Sequence, residues 1–256
     1  MYKIKKKLQN GELVLGTIIS EVRNPNIAYI LAQCGFEFFI IDNEHGTYNF
    51  ETISNIIAAA RGAGISVIVR IPEITRANIL KPLDSGASGL LVPMVNTVEE
   101  AQEVIKHAKY PTMGKRGVAL RRPHNLYNKV NAEEYLQKAN DETFIAVQVE
   151  TIQSIENINK IAAVDGVDCI FAGPFDLSVS LGIPGQIDHP LEVDAIEKIA
   201  TACKRHNKIA GILMFDQEML TKWINKDFRF AVYSSDITLL ADVASRAVKE
   251  LKNSVK

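Results

Sequence analysis

Short apolar runs rich in β-branched and aromatic residues recur along the 256-residue chain, and segments with a helical spacing of apolar positions separate them. This alternation is typical of a parallel sheet with crossover helices. The runs are continuously apolar, as expected of strands covered on both faces. The predicted strands are residues 13–19, 38–41, 67–70, 89–92, 144–149, 169–172, 209–214 and 229–233.

Capping signals predict helices between the strands. Asn49 is suited to cap a helix over 50–61 that ends at Gly62, and Thr97 with Glu100 has capping-box spacing at the start of another. Further helices are predicted at 27–34, 132–139, 152–162, 191–206, 217–225 and 237–252.

Eight β-α units in one chain of this length predict an α/β protein with a single (β/α)8 TIM barrel. No linker divides the chain, so residues 1–256 are interpreted as one domain. The connection over 96–143 is unusually long, which favours a functional loop or a subunit contact. The competing fold is an open doubly wound sheet, which would more often show a glycine-rich turn after its first strand.

Composition narrows the function classes. The net charge is −1, from 29 basic and 30 acidic residues, so no overall field favours nucleic acid or anionic lipid. No apolar run approaches the ~20 residues of a membrane span, and the basic start lacks the apolar stretch of a signal peptide. We therefore expect a cytoplasmic protein with neither nucleic-acid nor membrane partners. Its three cysteines are far apart, without a CxxC pair, and are expected to be reduced.

Polar side chains follow several predicted strands at the point where each strand ends. In a barrel these ends meet at one mouth, where catalytic residues are found. The candidates are Asp42, Glu44, His45, Arg70, Gln148, Glu150, Gly173, Pro174 and Asp176.

Two of these carboxylates suggest a metal site. Glu150 and Asp176 follow adjacent strands, so they could converge on one hard divalent cation, with substrate oxygens and water completing its shell. The alternative is structural, with Glu150 capping a helix that begins near Thr151 and Asp176 capping one that begins at Leu177.

The basic candidates also have two interpretations each. Arg70 could bind a substrate carboxylate or form an internal salt bridge to Glu44 or Asp42, and both could hold. His45 could act as a general base with Asp42 holding its other ring nitrogen, or it could be a hydrogen-bonded structural residue.

Several familiar chemistries are disfavoured. The glycine spacing at Gly11 and Gly16 is that of a P-loop, but Thr17 stands where lysine is required, and neither a GxGxxG nor a GxSxG motif is present. Lysines are missing from the predicted carboxyl ends of the strands, which argues against a Schiff base. Residues 234–236 lack the glycines of a phosphate pocket.

Together, in order and at strand ends, these motifs resemble the metal-dependent (class II) pyruvate aldolases of the 4-hydroxy-2-oxoheptanedioate aldolase family, which includes 2-keto-3-deoxy sugar-acid aldolases. The resemblance spans nearly the whole chain. Its motifs are IDNEHG (41–46), VRIP (69–72), LDSGA (83–87), LVPMV (91–95), QVET (148–151), GPFDLS (173–178) and GIL (211–213).

The resemblance implies an aldolase that reversibly cleaves 4-hydroxy-2-oxo acids to pyruvate and an aldehyde through an enolate stabilised by a divalent cation, Mg²⁺, Mn²⁺ or Co²⁺. It also implies a homo-oligomer, with domain-swapped dimers that exchange the last helix and assemble into hexamers.

It further implies a role for each site residue. Glu150 and Asp176 would bind the metal, and Gln148 would support them. Arg70 would hold the pyruvate carboxylate, and His45 with Asp42 would move protons through a water on the cation. Asp84 would complete a site across the dimer interface, and Gly173 and Pro174 would contact substrate.

This chain departs from the family pattern at two places. Phe175 stands where the family usually has a smaller residue, and a ring there could narrow the pyruvate pocket. The loop 116–124 diverges, and its Arg121 and Arg122 could bind an acidic aldehyde such as succinic semialdehyde or could simply be solvated or at an interface. The other candidate functions are a carbon–carbon lyase acting on a coenzyme A thioester, which predicts a basic groove, and a non-catalytic 2-oxo-acid-binding barrel.

Overall fold

The computed structural model describes residues 3–255 and shows a closed barrel of eight parallel strands in sequential order. The predicted (β/α)8 barrel is confirmed, and all eight predicted strands are present. The strands are β1 Val14–Ile19, β2 Phe38–Asp42, β3 Ser66–Arg70, β4 Gly89–Val92, β5 Phe144–Val149, β6 Cys169–Ala172, β7 Ile209–Met214 and β8 Phe228–Ser235.

Helices cover the barrel and its lower end. They are α1 Lys3–Gln9, α2 Ile27–Gln33, α3 Phe50–Ala63, α4 Arg76–Ser85, α5 Val98–Ala108, α6 Ala132–Glu142, α7 Ile152–Glu156, α8 Ile158–Ala162, α9 Pro174–Ser180, α10 Pro190–His206, α11 Gln217–Ile224 and α12 Asp236–Ser254, with a 3-10 turn at Pro123–Asn125.

Two apolar layers explain why the strands read as continuous apolar runs. One side of each strand packs against the surrounding helices, and the other fills the barrel. Inside the barrel, the rings of Phe38 and Phe230 stack with centroids 4.4 Å apart. Gly16 lies in β1, where a Cβ would collide with the Phe38 ring, so its P-loop-like spacing reflects barrel packing. Ile4 and Leu8 of α1 close the bottom.

The helix boundaries follow local chemistry, with some differences from the prediction. Asn49 caps α3 as expected, but the helix ends at Gly64, whose φ of 74° suits glycine, and not at Gly62. The capping box of Thr97 and Glu100 is confirmed. The predicted helix 152–162 divides at Asn157 into α7 and α8. Helix α4 was not predicted, because Pro82 lies inside it.

The last helix leaves an apolar face uncovered. Leu240, Val243 and Leu251 are 66%, 63% and 66% exposed, and Asp236 is the buried residue of α12. The carboxylate of Asp236 accepts hydrogen bonds from the backbone N–H groups of residues 20–22 at 2.9–3.2 Å, which ties the start of α12 to the loop after β1.

Two further findings concern the cysteines and the helices. Cys34, Cys169 and Cys203 are free thiols, as expected. Within residues 3–255, no helix combines the length and the apolar character needed to cross a membrane.

Candidate active site

A cavity of about 290 Å³ opens at the carboxyl ends of the strands. Several predicted site residues line it from different strands and their following segments. These are His45, Arg70, Gln148, Gly173, Pro174 and Asp176. The barrel topology therefore brings to one place residues that are more than 100 positions apart in the sequence.

Glu150 is buried immediately after β5 and is held from two sides. Its Oε1 accepts a hydrogen bond from the backbone N–H of Met94 at 2.7 Å, and its Oε2 accepts one from the side-chain amide of Gln148. Burial raises the pKa of Glu150 to about 7; these two hydrogen bonds oppose the rise, and the charges of Asp176 and Glu44 add to it. Glu150, Asp176 and Glu44 therefore lie close enough to interact electrostatically.

The structural alternative for the two carboxylates is not supported. The cap of α7 is Thr151, whose hydroxyl accepts from the Ser154 N–H, and not Glu150. Helix α9 begins at Pro174 and makes no side-chain cap, so Asp176 lies in its first turn with an exposed carboxylate.

The surroundings of Glu150 fit a cation. Gly173 leaves room for the carboxylate, since a Cβ there would collide with Glu150 Oε2. The Oε1 atom of Gln148 is buried without a hydrogen-bond partner. Arg70 lies near Glu150, but its guanidinium is already paired with Asp42 and Glu44. Among residues 3–255, no group of three or more His, Cys, Asp or Glu side chains is placed to hold a metal ion.

Arg70 is fixed by two acidic partners. Its Nε and Nη2 donate to the two Asp42 oxygens at 2.9 and 2.7 Å, and its Nη1 lies 3.1 Å from Glu44 Oε2. Burial opposes the charge on Arg70, but the hydrogen bonds and charges of Asp42 and Glu44 outweigh it and raise the pKa of the guanidinium. Burial also raises the pKa of Glu44, although Arg70 opposes this. A guanidinium carries five N–H donors. Two of them remain for a substrate.

The predicted contact between Asp42 and the His45 ring is wrong. The Asp42 carboxylate is occupied by Arg70, and its Oδ1 also accepts hydrogen bonds from the backbone N–H groups of Glu44 and His45, at 3.1 and 3.3 Å, so it contacts the backbone of His45 and not its ring. The His45 side chain is 69% exposed, and its Nε2 lies 4.0 Å from Glu44 Oε2. Asp42 thus orients Arg70 and the turn after β2, and the imidazole is free to face the cavity.

Asp84 lies apart from the cavity in this chain. Its Oδ1 accepts from Arg116 Nη2 at 2.7 Å, and the Arg116 guanidinium stacks over the Tyr110 ring at 4.6 Å. The proposed role of Asp84 across a subunit interface remains a prediction.

Several groups that form the site are not predicted from the sequence. The Met94 N–H gives no signal in a sequence, because it is a backbone group presented by a residue with a φ of 54°. Ile187, Phe215 and Asp216 line the outer cavity from segments after β6 and β7. Phe215 and Asp216 could have been found from their position directly after β7.

The geometry can be compared with known proteins. A family model described as HpcH/HpaI aldolase/citrate lyase matches residues 19–242. The chain belongs to this family.

The relatives of this chain match it over most of their length. The chain is 35% identical to the hydroxypyruvate/pyruvate aldolase of Roseobacter denitrificans over 250 residues, and the match covers 97% of this chain and 96% of that protein. It is 36% identical to a 4-hydroxy-2-oxo-heptane-1,7-dioate aldolase of Escherichia coli, covering 85% and 82%. The crystal structure of an HpcH/HpaI aldolase from Desulfitobacterium hafniense DCB-2 has a TM-score of 0.94 and 38% identity, covering 97% and 96%. The predicted family is confirmed.

Proposed function

We propose that the protein is a divalent-metal-dependent aldolase that cleaves 4-hydroxy-2-oxo acids to pyruvate and an aldehyde, and catalyses the reverse reaction. The observation that carries the proposal is the buried Glu150 carboxylate, which is held by the Met94 N–H and Gln148 and lies close enough to Asp176 and Arg70 to interact with their charges. Two relatives of this chain are named a hydroxypyruvate/pyruvate aldolase and a 4-hydroxy-2-oxo-heptane-1,7-dioate aldolase.

Glu150 and Asp176 are the residues we assign to the cation, with Gln148 fixing the Glu150 carboxylate. A divalent cation, Mg²⁺, Mn²⁺ or Co²⁺, supplies Lewis acidity that polarises the 2-oxo group and offsets the negative charge of the enolate. The two unused N–H groups of Arg70 bind the substrate carboxylate, and its fixed position means that little reorganisation is needed. Gly173 and Pro174 border the same space.

His45 is the residue we assign to proton transfer at the C4 hydroxyl. In cleavage it accepts the hydroxyl proton as the C3–C4 bond breaks, and in synthesis it returns that proton to the new alkoxide.

The test is deuterium exchange into the pyruvate methyl group, followed by NMR. Protein stripped of metal is expected to show no exchange, and reloading with Mg²⁺, Mn²⁺ or Co²⁺ restores it. Glu150→Gln reduces the exchange about 100-fold because a metal ligand and its charge are lost. Glu156→Gln, the same change at an exposed position outside the cavity, is the control and retains full exchange. Folded protein without exchange in any metal contradicts the proposal and favours a binding protein or a thioester lyase.

The thioester alternative has no support in the cavity. It requires a basic groove for the nucleotide, but the basic residues lining the cavity are His45 and Arg70, and Arg70 is paired with two carboxylates.

We also propose that α12 mediates a subunit exchange within a homo-oligomer, first a dimer and then a hexamer. Leu240, Val243 and Leu251 lie on one face of α12, and burying them requires another subunit. Light scattering is expected to give a multiple of the 28.3 kDa subunit mass. The double change Leu240→Glu and Leu251→Glu lowers the mass, while Lys249→Glu on the opposite face does not. A wild-type mass of one subunit contradicts this prediction.

A further inference from the structure

Apolar side chains that have no role in the proposed reaction line the outer part of the cavity. Of the ten phenylalanines in the chain, only Phe175 and Phe215 are exposed, at 60% and 45%, and both line this cavity. Phe175 comes from the first turn of α9 and Phe215 from the segment after β7. Ile187, between α9 and α10, lies with them in the lining. We call these three residues the outer wall.

The exposed fraction of Phe175 indicates which part of the cavity its ring borders. Its exposed fraction shows that the side chain faces the entrance and does not fill the deep part of the cavity, where Gln148, Gly173 and Arg70 lie. The ring therefore borders the space outside the pyruvate position. In an aldol reaction, that is the space occupied by the aldehyde carbons beyond the carbonyl.

The charges around this space disfavour an anionic aldehyde. The charged residues that line the cavity are His45, Arg70, Asp176 and Asp216. Arg70 is held by two carboxylates, and Asp216, next to Phe215, caps α11 by accepting from the Met219 N–H at 2.8 Å. Arg121 and Arg122 do not line the cavity. A second substrate carboxylate would thus meet an aspartate and no unpaired arginine or lysine from this chain.

We propose that the acceptor subsite takes an uncharged aldehyde with an apolar substituent, which packs against Phe175, Ile187 and Phe215. The inference rests on the proposed function and specifies its substrate class. In the synthetic direction, the pyruvate methyl group loses one proton, its carbon bonds to the aldehyde carbon, and the aldehyde oxygen gains one proton to become the C4 hydroxyl. No oxidant or reductant is needed.

Two matched aldehydes test the charge part of the proposal. Butanal and succinic semialdehyde both have four carbons and differ in the terminal carboxylate. We expect kcat/KM with pyruvate to be at least about tenfold higher for butanal. Asp216→Asn, which retains the cap of α11, is expected to raise kcat/KM for succinic semialdehyde severalfold relative to butanal, because it removes the repelling charge.

A second pair tests the outer wall. Phenylacetaldehyde is expected to be a better acceptor than acetaldehyde, and Phe175→Ala reduces the ratio of their kcat/KM values about tenfold, mainly through KM. The ratio cancels any effect common to both aldehydes. Phe175→Leu restores part of the ratio. Val179→Ala is the control, since Val179 is a 59% exposed residue on the same helix that does not line the cavity.

The outcomes separate the two proposals. If pyruvate exchange occurs but succinic semialdehyde equals or exceeds butanal, or if Phe175→Ala leaves the phenylacetaldehyde ratio unchanged, the acceptor inference is wrong and the aldolase proposal stands. If no metal supports exchange, the aldolase proposal fails and the acceptor inference fails with it.

Discussion

Replacing Arg70 with alanine is expected to reduce pyruvate deuterium exchange about 10³-fold and to lower the free energy of unfolding by about 3–5 kcal/mol. Both effects have one cause. Asp42 is 4% exposed and forms two hydrogen bonds with the guanidinium, while Glu44 lies 3.1 Å from it. Without Arg70, two carboxylates remain in the mouth of the barrel beside Glu150 with no cation of this chain to balance them.

Comparison variants separate the catalytic loss from the structural one. Arg70→Lys keeps the charge but cannot donate to both Asp42 oxygens and reach Glu44 at once, so exchange is expected to stay low while much of the stability returns. Lys109→Met is the control for destabilisation alone. The Lys109 ammonium donates to the carbonyls of Asn140 and Thr143 at the opposite end of the barrel, at 2.6 and 2.7 Å.

The measurements are urea denaturation and exchange per folded protein, both in saturating metal. Lys109→Met should lose stability and keep its exchange. Exchange by folded Arg70→Ala within about threefold of wild type would show that Arg70 is only a structural residue.

The strands could be predicted because barrel strands are buried on both sides, which produces continuous apolar runs that end at polar residues. Phe144–Val149 is buried throughout, and Glu150 follows it directly. Once the barrel is assumed, its topology places every such strand end at one mouth. Position along the chain thus sufficed to choose Arg70, Glu150 and Asp176 as candidates.

Side-chain partners within the mouth could not be predicted in the same way. Asp42 lies three positions before His45, and this spacing suggested a contact between them. In the structure β2 and β3 pair Asp42 directly with Arg70, and the stronger bidentate contact occupies the carboxylate. The partner is set by strand register, which sequence spacing does not contain. The exposed positions of Phe175 and of the α12 face depend equally on tertiary packing.

Replacing Glu192 with leucine is expected to stabilise the protein at neutral and higher pH. Glu192 lies in the first turn of α10 with an exposed fraction of zero, and neither of its carboxylate oxygens has a hydrogen-bond partner. Burial raises its pKa from 4.5 to about 7, with no charged neighbour contributing. The folded state therefore favours the neutral acid, and ionising it at higher pH carries a cost that the unfolded chain does not share.

The pH dependence of this cost is set by the pKa of Glu192, which is 4.5 in the unfolded chain and about 7 in the folded protein. Below about pH 4.5 the carboxyl is protonated in both states and costs nothing through ionisation. As the pH rises from 4.5 to 7, the unfolded state loses its proton first, so the stability of the wild-type protein falls; above pH 7 the penalty is constant. The difference between the two pKa values corresponds to a loss of about 3 kcal/mol in the free energy of unfolding.

The measurement is the difference in unfolding free energy between Glu192→Leu and wild type, from urea denaturation at a fixed protein concentration at pH 4.5, 6 and 8. The difference cancels the titration of Glu150 and other groups common to both proteins. It should grow by about 3 kcal/mol across this range. Glu192→Gln is the matched comparison: it also removes the pH dependence, but its buried amide keeps the cost of unpaired polar atoms, so its gain at pH 8 is smaller. A difference that stays flat with pH, or a leucine variant less stable than wild type at pH 8, would mean that the Glu192 carboxylate has a stabilising partner in solution.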